Sequence, residues 1–199
     1  MTITLLRHGR PALAPAITSA RGFADWVAAY DAAGIAADSQ PPASARLLAA
    51  ASVTVVCSDL PRSLASAAAL GVTVHHTDPR FRELAMPAAG WRWPALSARL
   101  WAVLFRLLWL AGWRAAGPAG ETVESCAEGR QRADHCAARL IALAAAGPVL
   151  FVGHGSLNWL LARRLRRAGW TSADASPRQH WQHAIFHPPG TATAHRHAA

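Results

Sequence analysis

The sequence predicts an α/β fold, a three-layer α/β/α sandwich with a mostly parallel central sheet. Three observations carry this expectation. Short runs rich in β-branched residues alternate with Ala- and Leu-rich helical stretches along the chain. The run PVLFVG at 148–153 is apolar without alternation, as a strand covered on both faces requires. Polar clusters follow three of the strands directly, where open α/β sheets gather their functional groups.

Each element has its own reason. Residues 2–6 (TITLL) alternate Thr with apolar residues and read as the first strand. RHGRP at 7–11 is a loop, because Gly9 and Pro11 break both periodicities. Thr18 is placed to cap a helix over 19–33, with Phe23, Trp26, Val27 and Tyr30 on one face and Gly34 as its stop. A second helix over about 42–51 follows a Pro pair. VTVVC at 53–57 is a strand, after which Ser58 or Asp59 caps a helix running from Pro61 to Leu70–Gly71. VTVHH at 72–76 is a further short strand, and 77–95 is irregular, broken by Pro79, Pro87, Gly90 and Pro94.

Residues 96–113 (LSARLWAVLFRLLWLAGW) form a helix apolar nearly all round, with Arg99 and Arg106 seven apart on one face. It is near the minimum length for crossing a bilayer. Its two Arg favour a largely buried helix; a lid, a homodimer face and an interfacial anchor are the other readings. A long helix over about 121–146 opens at Gly120-Glu121-Thr122, with Thr122 read as its cap and Ser125 nearby. The strand at 148–153, a helix over 154–169, a short strand HAIFH at 183–187 and a frayed end from about 190 complete the chain. No repeat or linker divides it. One domain over 1–199 is expected, with an inserted apolar helical region at about 94–118.

Composition narrows the function. Of the 199 residues, 52% are hydrophobic and 16% charged, which sets aside a disordered chain. The net charge is +9 and every basic residue is Arg, a balance that suits an anionic partner. The Arg residues are scattered without a basic–aromatic repeat, so a phosphorylated small metabolite is expected rather than a specific nucleic acid. Three Cys without a CxxC pair indicate a reducing compartment, and the N-terminus lacks the marks of a signal peptide; a cytoplasmic protein is expected.

The chemistry sits in three clusters: Arg7-His8-Gly9, Ser58 to Arg62, and His154-Gly155. Parallel strands bring these ends together, giving two His and two Arg in one pocket. That suits an anion with several oxygens, phosphate above all, since guanidinium forks match adjacent phosphate oxygens. A neutral imidazole attacks phosphorus and persists as a covalent intermediate, while a second donates to oxygen as charge builds. Glu83, in the loop Phe81-Arg82-Glu83-Leu84, is the candidate general acid, provided that desolvation raises its pKa against nearby Arg.

These motifs resemble the histidine phosphatase superfamily, also called the phosphoglycerate mutase-like family. Arg7-His8-Gly9 matches its first signature, CSDLPRSLASA at 57–67 its second, and VGHGSLNWLL at 152–161 its third. The resemblance covers roughly residues 2–188. It implies a phosphoglycerate mutase-like fold, His8 as the phosphorylated nucleophile, Arg7, Arg62 and His154 as the phosphoryl grip, and Glu83 as the acid, without a metal or other cofactor. The sequence departs from the family pattern at Cys57, Ser63 and Ser66, and the loop after Glu83, LAMPAAGWRWP, holds no second Glu.

Blander readings stand beside these. Arg7 and Arg62 pair with Asp59 or Glu83 if the site is structural. Ser156 and Asn158 cap a helix or help the phosphate. His75 and His76 face opposite sides of a strand. His180, His183 and His187 read as surface or tail, and the Trp at 91, 93, 101, 109 and 113 as core. Arg163, Arg164, Arg166 and Arg167 form a basic patch, the foothold for nucleic acid. The leading expectation is a metal-independent phosphomonoesterase. The alternatives are a mutase-like phosphotransferase and a non-catalytic module binding a phospho-ligand or nucleic acid.

Overall fold

The computed structural model describes residues 1–113 and 123–190. In chain order the elements are β1 (Ile3–Arg7), β2 (Ile17–Thr18), α1 (Ala20–Ala32), α2 (Ala43–Ala50), β3 (Thr54–Cys57), α3 (Pro61–Leu70), β4 (His76–Thr77), β5 (Leu96–Ser97), α4 (Ala98–Leu110), α5 (Cys126–Ala144), β6 (Val149–Gly153), α6 (Gly155–Arg167) and β7 (His183–Phe186). Five strands form the central sheet in the order β4-β3-β6-β1-β7. The first four run parallel and β7 closes the edge antiparallel to β1.

Strand alternation creates the layers. Ile3, Leu5, Val149, Phe151 and Val56 face one side and pack against α5 and α6 through Ala133, Leu140, Leu157 and Leu161. Leu6, Leu150, Val152, Val55 and Cys57 face the other, against Ala45 and Ala49 of α2 and Ala67 and Leu70 of α3. The unbroken apolar run of β6 is thereby buried at every position, as its composition predicts. A mixed α/β architecture with a mostly parallel sheet is what the sequence led us to expect.

Several local expectations change. Helix α1 is capped by Ser19, whose Oγ accepts from Gly22 N at 3.2 Å. Thr18 instead pairs with Leu96 in the β2–β5 ribbon. Helix α3 has Pro61 in its first turn and ends on left-handed Gly71, but no side chain caps it. Ser58 and Asp59 are committed elsewhere. Strand β4 shrinks to two residues, with His75 Nδ1 taking the Val55 N–H at 3.1 Å. Helix α5 opens with a capping box between Ser125 and Glu128; Thr122, and residues 114–118 of the expected insertion, lie outside the described residues.

Helix α4 is buried on one face only. Ala98, Trp101, Phe105 and Trp109 point inward, and with Phe23 of α1 form a third cluster away from the sheet. Leu100, Val103, Leu107 and Leu110 are exposed, as are Trp91 and Trp93, the latter at 83%. The expected largely buried helix and the expected core role of these two Trp therefore do not hold: α4 packs beside the sandwich rather than under a further layer. Among the described residues no helix is long and apolar enough to cross a membrane.

Candidate active site

The parallel strands end together, and their loops meet. Arg7 closes β1 and His8 follows it, with His8 N donating to Gly153 O at the end of β6 at 3.0 Å. Gly9 N donates to Ser66 Oγ (2.9 Å), whose hydroxyl donates in turn to Arg62 O (2.6 Å), tying the first loop to α3. His154 sits between β6 and α6. The guanidinium of Arg7 lies over Gly155, where a Cβ would stand 3.4 Å from its Cζ. The rings of His8 and His154 are 5.1 Å apart.

His8 is buried, and its Nδ1 lies 2.7 Å from the Gly9 carbonyl. A carbonyl only accepts, so Nδ1 carries the proton and Nε2 the lone pair. Burial lowers the His8 pKa well below the usual imidazole value; the neighbouring His154, Arg62 and Arg7 lower it further, against the Gly9 bond. The ring is neutral at pH 7 with a nucleophilic nitrogen. His154 is fully buried, with its pKa lowered by burial first, then by Arg62 and Arg7. Its Nε2 meets Ser58 Oγ at 2.7 Å. Ser58 Oγ also accepts from Leu60 N (3.4 Å), which leaves its hydroxyl able either to donate to Nε2 or to accept from it.

Arg62 is fully buried. It donates from Nη1 to Tyr30 O at 2.9 Å and stacks over the Tyr30 ring at 4.5 Å. Its Nη2 lies 3.0 Å from the half-exposed Asp31 carboxylate without hydrogen-bond alignment. Three buried guanidinium nitrogens here have no hydrogen-bond partner among the described residues, Arg7 Nε, Arg62 Nε and Arg62 Nη2, and neither has Nδ1 of His154. Buried cationic donors are costly when unmatched, and a cluster that includes two such guanidiniums is suited to an anion.

Glu83 is brought to the same place. Its oxygens accept from Ser156 N (3.1 Å), Leu157 N (3.0 Å) and its own neighbour Leu84 N (2.9 Å), so it caps the start of α6 just past His154. Two Arg fix its loop. Arg132 donates to the carbonyls of Arg80, Arg82 and Glu83, and Arg106 to those of Leu84 and Ala85. The raised pKa expected for Glu83 is not what this setting gives. Burial pushes it up, but Arg106, the N–H groups of Leu84 and Ser156, and Arg7 together pull it below the ordinary carboxylate value.

The blander readings separate. Asp59 pairs with Arg82 at 2.5 Å and with neither Arg7 nor Arg62. Ser156 and Asn158 serve the scaffold, the first through its backbone on Glu83 and the second by donating to Leu6 O at 3.3 Å. In the basic patch, Arg163 lies over Trp159, Arg164 pairs with Asp134, and Arg166 covers Phe186, so three of the four are engaged within the fold. Among the described residues no three His, Cys, Asp or Glu gather to hold a metal ion. Hollows of about 390 and 380 Å³ lie elsewhere and contain none of the five candidate residues.

Sequence reasoning missed two neighbours. Tyr30, the one tyrosine, stands on the helix face assigned to the core, yet its ring is 6.5 Å from His8 and continues a stack through Trp26 to Phe23. His180, read as surface, places its ring 5.6 Å from His8. The uniqueness of Tyr30 was a usable signal; nothing in the spacing around His180 was.

No curated protein sequence matches the chain. Among solved structures, an open reading frame product of Mycobacterium tuberculosis superposes with a TM-score of 0.55 at 18% identity, over 92% of this chain and 89% of that one. A mycobacterial glucosyl-3-phosphoglycerate phosphatase gives 0.53 at 20% identity, over 83% and 79%. A phosphoglycerate mutase from Thermus thermophilus gives 0.52 at 20%, over 92% of each chain. At such identities these likenesses establish the fold. The sequence model of the histidine phosphatase superfamily (branch 1) matches residues 38–186, beginning after the Arg7-His8-Gly9 loop that the sheet brings alongside. Fold and sequence agree, and the chain belongs to the histidine phosphatase superfamily, branch 1.

Proposed function

We propose that the protein hydrolyses small phosphomonoesters without a metal ion, through a phosphohistidine on Nε2 of His8. The observation that carries this is the set of three unmatched buried guanidinium nitrogens of Arg7 and Arg62, with the unpartnered Nδ1 of His154, around a neutral imidazole. They match the equatorial oxygens of a phosphoryl group and the charge that grows on them. Glu83 starts as a carboxylate, so the leaving-group proton arrives with the substrate. A phosphomonoester monoanion passes it to Glu83 as the dianion settles among the guanidiniums. Nε2 then attacks phosphorus in line, the ester P–O bond breaks, and the leaving oxygen takes the proton from Glu83. Water next attacks the phosphorus, giving a proton to Glu83; the P–N bond breaks and phosphate departs, carrying that proton away.

The mutase-like alternative differs only in the acceptor of the second step, a substrate oxygen in place of water. The site is tested with p-nitrophenyl phosphate in the presence of EDTA. Wild type should release p-nitrophenol and accumulate an acid-labile, base-stable phosphoprotein. His8→Ala should lose both. Turnover that survives His8→Ala unchanged removes the nucleophile and the reading with it. Release of free phosphate rather than its return to an added sugar acid separates hydrolase from mutase.

A further inference from the structure

The segment 178–182 leads into β7. Because β7 runs antiparallel, with His183 opposite Leu6, this segment arrives at the edge where β1 delivers Arg7 and His8. It is held tightly. Arg7 N donates to Gln182 O and Trp181 N to Arg7 O, each at 3.0 Å, and the Arg7 guanidinium donates to Arg178 O. Gln182 Oε1 accepts from the backbone of both Arg178 and Gln179, at 2.7 and 2.9 Å. Trp181 has φ of 63°, the one non-glycine residue in that left-handed region among the described residues. A bulky side chain is strained there, and such strain persists only where the surroundings over-determine it. Here the indole is anchored by Nε1 donating to Ser39 Oγ (3.0 Å). The ring closes so tightly on Gly9 that a Cβ would sit 2.5 Å from it.

What this strained turn delivers is the ring of His180. It lies 5.6 Å from the His8 ring, nearly as close as His154 at 5.1 Å. His8 and His154 are buried, while His180 is half-buried and so retains contact with solvent. Neither of its nitrogens meets a hydrogen-bond partner among the described residues, and it belongs to no core cluster. Burial, with the charges of Arg7, Arg10 and Arg99, brings its pKa down to about 4, so at pH 7 it is a neutral donor that adds no repulsion to the two site guanidiniums.

We infer that His180 is a substrate-contacting residue, a third imidazole that donates a hydrogen bond to the bound phosphoryl group beside His8, and that the left-handed backbone at Trp181 aims it there. The inference rests on the site being a phosphoryl site, as proposed above.

The test titrates inorganic phosphate into wild type, His180→Ala and His180→Gln by calorimetry, alongside KM and kcat for p-nitrophenyl phosphate. Loss of one hydrogen bond to a charged group weakens binding by about tenfold. His180→Ala should therefore raise the phosphate Kd and the KM about tenfold. His180→Gln, which keeps an N–H donor, should return both to within threefold of wild type. A change of less than threefold in His180→Ala overturns the inference. So do equal losses in the Ala and Gln variants, which mark packing alone, and a wild type that binds no phosphate. The hydrolase reading is judged separately. It fails if wild type does not turn over the aryl phosphate, or if His8→Ala still does, and the phosphate titration decides His180 in either case.

Discussion

Arg62 offers the sharpest separation of stability from function. Replacing it with Met keeps the unbranched length in a fully buried slot and removes the charge. In phosphate-free buffer three contributions are lost. They are the bond to Tyr30 O, the stacking on its ring and the pairing with half-exposed Asp31, about 2, 1 and 0.5 kcal/mol. Against these, Nε and Nη2 cease to be buried without a hydrogen-bond partner, a relief of about 1–3 kcal/mol each. The two sides nearly cancel. Arg62→Met should shift unfolding by no more than about 2 kcal/mol, or about 4–8 °C in Tm. Phosphate protection should collapse. At 100 times its Kd, phosphate stabilises wild type by about 2.7 kcal/mol, whereas a hundredfold weaker site yields about 0.4 kcal/mol. Thermal and denaturant unfolding with and without phosphate measure both quantities. A variant that loses more than about 3 kcal/mol yet keeps its phosphate response would show that Arg62 is a structural cation, and the reasoning would fail.

The same geometry carries three more expectations. His8 and His154 are neutral in the fold with pKa values well below 6.5, so the unfolded chain binds more protons than the native one below that pH. Stability should fall as pH drops below about 6.5, by up to about 1.4 kcal/mol per pH unit for each ring, and a His8→Gln/His154→Gln variant should flatten the profile; an unchanged profile refutes the assignment. Gly9→Ala should cost about 1–3 kcal/mol in denaturant unfolding, because its Cβ meets the Trp181 indole that Ser39 anchors; an unchanged midpoint would show that the contact yields freely. Glu83→Gln should lower kcat at least about a hundredfold and cost about 1–3 kcal/mol of stability, since the amide oxygen replaces only one of the two accepting carboxylate oxygens and the NH2 group faces a buried N–H; full activity would remove Glu83 from the proton path.

The framework was legible in the sequence where pattern and physics coincide. The unbroken apolar run of β6 announced a central strand, and Gly71 announced the end of α3. The clusters at 7–8, 62 and 154 follow strands that parallel pairing forces to end together. Other features were illegible because partners distant in sequence decide them. Ser58 resembles a cap until His154, 96 residues away, claims its hydroxyl. The protonation of Glu83 turns on Arg106 and on backbone donors at 156, neither of which its own neighbourhood foretells. Helix α4 is apolar enough to be buried all round, but composition does not reveal which layer is there to cover it. His180 sits in a stretch with no periodicity, and only a left-handed Trp181 turns it inward.

Strand order also governs when this molecule becomes competent during synthesis. β1 is made well before both of its sheet neighbours, β6 and β7. At 5–20 residues per second, roughly 7–30 s separate Arg7 from Val149 on the ribosome. Throughout that interval Ile3, Leu5 and Leu6 have no ladder to join. The nascent chain thus carries an apolar, unpaired segment until β6 emerges. Products that stop before β6 should therefore be prone to precipitate.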